Sequence, residues 1–239
     1  MRPQRKLAVD RLVSKKRESV GAEPDLLTDP EEIAKREAEN AVRQFDAVLD
    51  LIDQVARDGL PFKLRPSTIL GLHKLALDGL SRFAGTWRPS KVEIELSGHE
   101  PPHESQVPAL MEDLCDWVNE HFDSESALTL CGYVMWRLNW VHPFLDGNGR
   151  TSRAVAYLVL CAKLGDRLPG ALTIPEQIAA DRDPYYAALE AADEACDGET
   201  LDLSEMEKLL THYLGVQLAS TFERAGQAAT EEEGERKFH

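Results

Sequence analysis

The residues of this chain best suited to chemistry lie in one run of twelve positions. The run is His142, Pro143, Phe144, Leu145, Asp146, Gly147, Asn148, Gly149, Arg150, Thr151, Ser152 and Arg153. It combines an imidazole, a carboxylate, two guanidiniums and an asparagine flanked by glycines. Guanidinium groups bind phosphate oxygens in bidentate fashion, and an imidazole can accept a proton at neutral pH. The run therefore predicts a site that holds the phosphates of a nucleotide and activates a hydroxyl group beside them.

The second half of this run adds backbone groups to the same site. Gly147 and Gly149 can adopt positive φ angles and direct N–H groups into one anion-binding concavity. A helix that begins at about Asn148 would point its free N–H groups and its dipole at the same anion. Arg150 and Arg153 are neighbours on its first turn, where positive charge is unfavourable unless an anion binds. A plain turn between helices is the alternative, and it gives these arginines no purpose.

The twelve residues resemble the signature loop of the Fic family at every fixed position of its pattern, His-x-Phe-x-Asp-Gly-Asn-Gly-Arg-x-x-Arg. Members with this loop typically transfer AMP from ATP to a hydroxyl side chain of a protein. Relatives of the Doc type, which transfer a phosphate instead, depart from this loop, so Asp146 and Gly147 argue against that reaction. The resemblance covers about residues 67 to 215. It implies an all-α fold, a helical bundle with a small β-hairpin flap over the active site.

The resemblance also implies a role for each motif residue. His142 would be the catalytic base, Asp146 the Mg²⁺ ligand and Phe144 the buried anchor of the loop. The remaining motif residues would bind the phosphates of ATP: Gly147, Asn148 and Gly149 as an anion hole, and Arg150 and Arg153 at the β- and γ-phosphates.

A short segment breaks the helical pattern. Val92, Glu93 and Ile94 begin a strictly alternating run that ends at Leu96, as in a β-strand. We expect this strand to form a hairpin with residues 84–88. By resemblance, the hairpin is the flap over the active site, and its exposed edge binds the target protein by main-chain pairing. A surface excursion without such a role is the alternative.

Glu39 is the candidate for inhibition of the site. Many Fic proteins carry a helix with the pattern Ser/Thr-x-x-x-Glu-Gly/Asn, whose glutamate pairs with the second arginine of the loop and obstructs the γ-phosphate. Glu39 and Asn40 resemble the end of this pattern, although Lys35 stands in the hydroxyl position. The resemblance implies that Glu39 pairs with Arg153. Alternatively, Glu39 belongs to a solvated charged face.

Two neighbouring tyrosines are candidates for the adenine pocket. Tyr185 and Tyr186 resemble a stretch found downstream of the loop in many relatives. We expect one ring to line the adenine pocket and the other to lie in the core. Packing of both rings in the core is the alternative.

Composition and periodicity divide the chain into four segments. Residues 1–27 form a basic arm that we expect to be flexible, and residues 28–66 hold a first helix and a linker. Residues 67–224 form the Fic domain, and residues 225–239 have the composition of a disordered acidic tail. Helices are expected at about 30–58, 67–77, 107–122, 124–141, 148–164, 175–180, 184–192 and 203–224.

Composition also limits the partners and the compartment. The 239 residues carry a formal net charge of −15, which disfavours nucleic acid and anionic membranes as partners. No apolar run approaches the roughly 20 residues of a membrane span. The cysteines lack metal-type spacing, and three fall in apolar helical patterns, which predicts reduced thiols and a cytoplasmic location; they are Cys115, Cys131, Cys161 and Cys196. A target protein is the expected partner, self-modification is a further option, and the oligomeric state is left open.

Other functions compete with AMP transfer. A transferase on the same scaffold could use UMP, GMP or phosphocholine donors, or remove AMP, because these reactions share the phosphate site. A non-catalytic module that binds nucleotide or protein is less consistent with the chain, since binding alone does not require the base His142. A metal phosphohydrolase would need a second cluster of His and Asp residues, which the sequence lacks.

Overall fold

Helices form nearly all of the regular structure. The computed structural model describes residues 19–20, 26–58, 61–94, 99–196 and 200–236. Its helices are α1 (Pro30–Asp58), α2 (Pro66–Leu77), α3 (Val107–His121), α4 (Ala127–Val141), α5 (Asn148–Leu164), α6 (Ile174–Ala180), α7 (Asp183–Ala195) and α8 (Ser204–Arg236). A 3₁₀ turn precedes α3 at Glu104–Gln106, and the described residues also contain two short strands, β1 (Ser19–Val20) and β2 (Glu93–Ile94). The all-α architecture expected from the sequence is confirmed.

Helices α4 and α5 form the centre of the fold. They pack against each other, while α1 and α2 cover α5, and α3 and α8 cover α4. Their buried apolar side chains include Leu130, Met135, Leu138, Val155 and Leu158. The loop of residues 142–147 joins these two buried helices. Its two ends are therefore held by the core, which is a rigid mounting for a site.

Capping residues explain where the helices begin. The N–H of Glu31 donates to the carboxylate of Asp29 (3.1 Å). Asp29 is therefore the N-cap of α1, as the sequence predicts. At α4, the N–H of Thr129 donates to the hydroxyl of Ser126 (3.0 Å). Because Ser126 is this cap, α4 begins three residues after the predicted start at Ser124.

The strand predicted around Glu93 is present, but its expected partner is wrong. Residues 84–86 form a turn and a bend, residues 87–88 have no regular structure, and the segment contains no strand. The backbone N–H of Arg88 donates to the carbonyl of Pro143 (2.8 Å), so this segment is held against the loop of residues 142–147 and not against β2. Residues 95–98, which complete the alternating run, lie outside the described residues.

β2 pairs instead with β1 from the N-terminal segment. The pairing is antiparallel, with Ser19 opposite Ile94 and Val20 opposite Glu93. At these two positions the basic arm therefore pairs with the strand, and the flexibility expected over residues 1–27 stays a prediction. The remainder of that arm, residues 1–18 and 21–25, lies outside the described residues.

Helix α8 continues beyond the expected end of the last helix. The sequence predicts helix to about residue 224 and a disordered tail from residue 225, whereas the helix reaches Arg236. Alanine and glutamate favour helix intrinsically, and both are frequent in this stretch. The stretch therefore lacks the composition to form a core but retains helix propensity. Residues 237–239 lie outside the described residues.

The cysteines behave as the sequence predicts. None of the four forms a disulfide bond, and Cys115, Cys131 and Cys161 are buried in the helical core. Among the described helices, none combines the length and the hydrophobicity that a membrane span requires.

His73 of α2 supports the loop between α4 and α5. Its buried imidazole stacks on the ring of Phe144, with centroids 3.6 Å apart. The N–H of Gly85 donates to Nδ1 (2.9 Å), and Nε2–H donates to the carbonyl oxygen of Asp146 (3.0 Å). These contacts require the neutral tautomer, because the N–H only donates and the carbonyl only accepts. Burial lowers the pKa of His73 to about 4.

We predict that His73 makes the free energy of unfolding depend on pH. In the unfolded chain, His73 binds a proton as the pH falls below about 6.5, the pKa of an unfolded histidine. In the native protein, His73 stays neutral until about pH 4. The contribution of His73 to the free energy of unfolding is therefore fully present above pH 6.5. It falls by about 3 kcal/mol as the pH drops to 4. Urea unfolding at several pH values measures it.

Two variants separate this effect from the titration of other groups. His73→Gln should flatten the pH dependence between 6.5 and 4, whereas His212→Gln, at an exposed position on α8, should not. NMR titration of the wild-type chain provides a direct check. A His73 ring that titrates near pH 6.5 would contradict the prediction.

Candidate active site

His142 ends α4 in a left-handed backbone conformation. Its φ and ψ are 50° and 59°, and its N–H still donates to the carbonyl of Leu138 (2.9 Å). Pro143 follows and cannot continue the helix. The imidazole is buried, and Nδ1 lies 3.2 Å from the carbonyl oxygen of Asn139. Because a carbonyl only accepts, Nδ1 carries the hydrogen and Nε2 keeps a lone pair that can accept a proton.

A reciprocal pair of hydrogen bonds closes the loop after His142. The N–H of Phe144 donates to Oδ1 of Asn148, and Nδ2 of Asn148 donates to the carbonyl of Phe144, both at 2.9 Å. The ring of Phe144 is fully buried between His73 and Trp87, where it anchors the loop. The side chain of Asn148 is occupied in this closure. Asn148 can therefore contribute to an anion hole only through its backbone.

Gly147 allows the loop to pass close to α2. Its φ is 78°, and a Cβ at this position would lie 2.4 Å from a methyl carbon of Leu77. Only glycine satisfies both constraints, because a side chain would be strained as well as obstructed. Helix α5 begins immediately afterwards, so the N–H groups of Gly149 and Arg150 have no acceptor within the helix. The backbone N–H groups that the sequence assigns to an anion site therefore lie at the start of α5.

Arg150 connects the loop with α1. One guanidinium nitrogen lies 2.6 Å from Oδ2 of Asp146, and another lies 3.0 Å from Oε1 of Glu37. The other carboxylate oxygen of Asp146 accepts the N–H of Gly147 at 2.6 Å. The expected metal ligand and the first expected phosphate ligand are therefore in contact with each other.

Arg153 lies on α5, three residues after Arg150, and lines the same cavity. Burial lowers the pKa of its guanidinium. Among the residues that the structure describes, no carboxylate forms an ion pair with Arg153, and its guanidinium makes no hydrogen bond that could replace one. A partly buried positive charge without a counter-ion is unfavourable unless an anion binds to it.

These groups line one cavity of about 700 Å³, a size that suits a nucleotide. Helices α1, α4, α5 and α7, strand β2 and the loop all contribute to its wall. The lining residues are Glu37, Ala38, Ala41, Ile94, Asn139, His142, Asp146, Gly147, Asn148, Gly149, Arg150, Arg153, Arg182, Tyr185 and Tyr186.

Glu39 does not occupy the position that the sequence suggested. It lies 3.5 Å from Arg36 on its own helix and does not line the cavity. Glu37 and Ala38 face the cavity instead, and Glu37 contacts Arg150. Each helical residue turns by about 100°, so Glu39 points away from the direction of Glu37. The expected contact between Glu39 and Arg153 is absent from the structure.

The two tyrosines of α7 differ in burial. The hydroxyl of Tyr185 lies 2.9 Å from Nδ2 of Asn139 and 3.3 Å from Oγ of Ser152, and its ring is buried. Burial raises the pKa of this hydroxyl. Tyr186 is half-buried, and both rings contribute to the cavity wall.

The three flap residues also lie in different environments. Val92 is buried, Glu93 is exposed, and Ile94 is half-buried and lines the cavity. This alternation follows from the two-residue period of a strand. The strand is therefore placed beside the cavity through Ile94.

Arg88 is a supporting residue that motif analysis missed. Its buried guanidinium donates from Nε to the carbonyl of His142 (2.8 Å) and from Nη1 to that of Ser90 (3.0 Å), and it also bonds the carbonyl of Pro102. Burial lowers its pKa. Arg88 thus fixes the backbone at the start of the loop. Its only sequence signal is an arginine in an otherwise apolar, turn-rich segment, which does not predict this contact.

The metal-binding potential of the site rests on Asp146. Its carboxylate lies at the cavity with 59% of the side chain exposed. No group of three or more potential metal-ligating side chains was found in the described part of the chain. Mg²⁺ commonly binds through one or two carboxylates together with substrate phosphates, so a single Asp146 fits a metal that arrives with a nucleotide.

Comparison with known proteins gives a family match that includes the whole loop and helices α2 to α4. Residues 63–160 match the model of the Fic/DOC family. Protein adenylyltransferase Fic of Drosophila persimilis is 32% identical over 148 residues, which cover 56% of this chain and 27% of that protein. Its counterpart in Drosophila willistoni is 31% identical, with 56% and 28% covered. The chain spans about a quarter of the length of these curated relatives.

Solved structures show the same fold. A Fic domain protein from Bacteroides thetaiotaomicron superposes with a TM-score of 0.60 and 22% identity, covering 75% of this chain and 69% of that one. Fic-1 from C. elegans superposes with a TM-score of 0.58 and 23% identity, covering 86% and 56%. The protein therefore has the same fold as these Fic proteins, and the match to the Fic/DOC family model spans residues 63–160.

Proposed function

We propose that this protein transfers AMP from ATP to a hydroxyl side chain of a target protein. The observation that carries the proposal is one cavity in which a proton acceptor, His142, lies with the N-terminus of α5, Arg150 and Arg153. A binding module would need the positive groups but not the base. The curated relatives are named protein adenylyltransferases, which supports the same reaction.

His142 removes the proton from the attacking hydroxyl. Its Nδ1–H is directed at the carbonyl of Asn139, so Nε2 is the atom that accepts the proton. A neutral hydroxyl is a poor nucleophile, and a positioned base raises the rate by about 10²- to 10⁴-fold. Arg88 and the left-handed conformation of His142 keep the imidazole at the cavity wall.

The reaction exchanges one phosphorus–oxygen bond for another. The Ser, Thr or Tyr oxygen of the target attacks the α-phosphorus of ATP and forms a new bond to it. The bond between the α-phosphorus and the bridging oxygen breaks, and pyrophosphate leaves with the electron pair. Arg150, Arg153 and the first N–H groups of α5 stabilise the negative charge that accumulates on the leaving group.

Asp146 would hold the Mg²⁺ that accompanies ATP, and the metal would neutralise phosphate charge. The carboxylate is free to do so only after Arg150 has turned from Asp146 towards the phosphates. Both groups are at the cavity surface, where an exposed ion pair contributes little stability, about 0–1 kcal/mol. The exchange is therefore energetically accessible.

The target polypeptide binds along β2. The pairing of Glu93–Ile94 with Ser19–Val20 supports this assignment, since it shows that this edge accepts an extended backbone. Ile94 lines the cavity, so a target strand at this edge brings its side chains towards His142. Such a strand would have to replace β1.

Tyr186 is the ring that we assign to adenine. It is half-buried in the cavity wall, whereas Tyr185 is fully buried and its hydroxyl is bonded to Asn139. A half-exposed aromatic ring can stack on a base, and a buried one cannot reach it.

The buried, unpaired thiols of the core fit a reducing compartment, and we propose the cytoplasm.

Helix α1 restrains the site through Glu37. The contact of Glu37 with Arg150 competes with phosphate for that guanidinium. Glu37 takes the inhibitory role that the sequence suggested for Glu39, because it is the glutamate of α1 that faces the cavity.

We predict that His142→Ala lowers transfer of labelled AMP by about 10²- to 10⁴-fold while ATP still binds. The loss follows from the missing base, since the phosphate ligands remain. Transfer from α-³²P-labelled ATP to target or lysate proteins measures it, with calorimetry for ATP binding. His212→Ala, at an exposed position on α8, is the control. Undiminished labelling by His142→Ala would reject the assignment of the base.

We predict that Glu37→Gln raises AMP transfer at limiting ATP by up to about fivefold, because an exposed ion pair contributes up to about 1 kcal/mol. Glu39→Gln removes the same charge two residues away and should leave the rate unchanged. The initial rate of labelling at several ATP concentrations tests both variants. Stimulation by Glu39→Gln without stimulation by Glu37→Gln would return the inhibitory role to Glu39.

A further inference from the structure

A third arginine lines the cavity, from outside the signature loop. Arg182 directly precedes α7 and contributes to the same wall as Arg150 and Arg153. It lies 29 positions after the last residue of the loop motif, so the motif does not predict it. The cavity therefore collects three guanidinium groups from two separate parts of the chain.

The carboxylates of the cavity do not neutralise these three charges. Glu37 and Asp146 are the acidic lining residues, and both form their ion pairs with Arg150. Over the described ranges, neither Arg153 nor Arg182 forms an ion pair with any carboxylate. Two positive charges of the cavity thus have no carboxylate partner among the described residues.

The two uncompensated arginines are close enough to affect each other. Burial is the main cause that lowers the pKa of Arg153, and the charge of Arg182 lowers it further. Tyr185 and Tyr186 line the same cavity as these two arginines. An anion between Arg153 and Arg182 would remove this repulsion.

A structural role does not explain the position of Arg182. It precedes the first turn of α7, where the positive end of the helix dipole disfavours a cation. Asp181 and Asp183 flank it in sequence, yet the carboxylate of Asp181 bonds the N–H of Asp183, and neither residue forms an ion pair with Arg182 in the described structure. The side chain faces the cavity instead.

We propose that Arg182 is a third phosphate ligand, which binds the terminal phosphates of a nucleoside triphosphate together with Arg153. The inference rests on the proposed function and extends its ligand set. Three guanidinium forks require several anionic oxygens spread over more than one phosphate. The cavity therefore selects a nucleoside polyphosphate over a monophosphate.

Calorimetry with Mg·ATP, AMP and adenosine on the full chain tests this role. Arg182→Gln should weaken ATP binding by about 10- to 100-fold, the range of a hydrogen bond to a charged group, and leave adenosine and AMP binding unchanged. Arg182→Lys should have an ATP affinity between those of the wild type and Arg182→Gln, because lysine keeps the charge but cannot bind phosphate in bidentate fashion. Arg57→Gln, at an exposed position on α1, is the matched control and should bind ATP like the wild type.

Two results would overturn the inference. One is unchanged ATP affinity in Arg182→Gln, and the other is an equal loss for ATP, AMP and adenosine, which would mean that Arg182 only shapes the pocket. Its failure is distinguishable from failure of the proposed function. If Arg182→Gln binds ATP normally and His142→Ala still loses transfer, only the role of Arg182 is wrong. A wild-type chain that binds no nucleotide would reject both.

Discussion

The reciprocal hydrogen bonds between the side chain of Asn148 and the backbone of Phe144 hold the site together. They close a short loop between two buried helices, so the end of α4 and the start of α5 meet at a fixed angle. The stack of Phe144 on His73 and the bonds of Arg88 to the backbone secure the same loop from two other directions. A base and a helix N-terminus can be aligned on one ligand only if this loop does not move.

The arginines of the cavity differ in whether a carboxylate of the described chain pairs with them. This difference affects the binding free energy that an anionic ligand gains at each arginine. If a phosphate binds Arg150 as proposed, it replaces existing contacts with Glu37 and Asp146, so the net gain in binding free energy is small. At Arg153, no carboxylate of the described chain has to be displaced. The folded protein carries the cost of that uncompensated charge, and an anion that binds only the native state offsets it through mass action.

Features encoded locally were predictable, and contacts between distant elements were not. The helices followed from periodicity and caps, and the loop residues could be assigned because they are adjacent in sequence. Glu37 and Glu39 could not be separated, because which of them faces the cavity depends on the rotation of α1 against α5. His73 and Arg88 support the loop across 73 and 54 positions of sequence, and a solitary histidine or arginine carries no signal of such a contact. The tail of α8 was missed because composition reports the absence of a core but not helix propensity.

The pairing of β1 with β2 joins the N-terminal segment to the wall of the cavity. Residues 19–20 are covalently tethered to the strand they contact, so their effective concentration there far exceeds that of a free polypeptide. Under the proposed function, a target peptide competes with residues 19–20 for the edge of β2. A weakly bound extended peptide would not displace them, whereas a partner with additional contacts elsewhere on the domain would. The tether therefore acts as a threshold that favours extensive recognition surfaces over short linear motifs. Under the proposed function, an affinity tag fused upstream of these residues would alter that threshold, and tagged and untagged preparations would then differ in target binding.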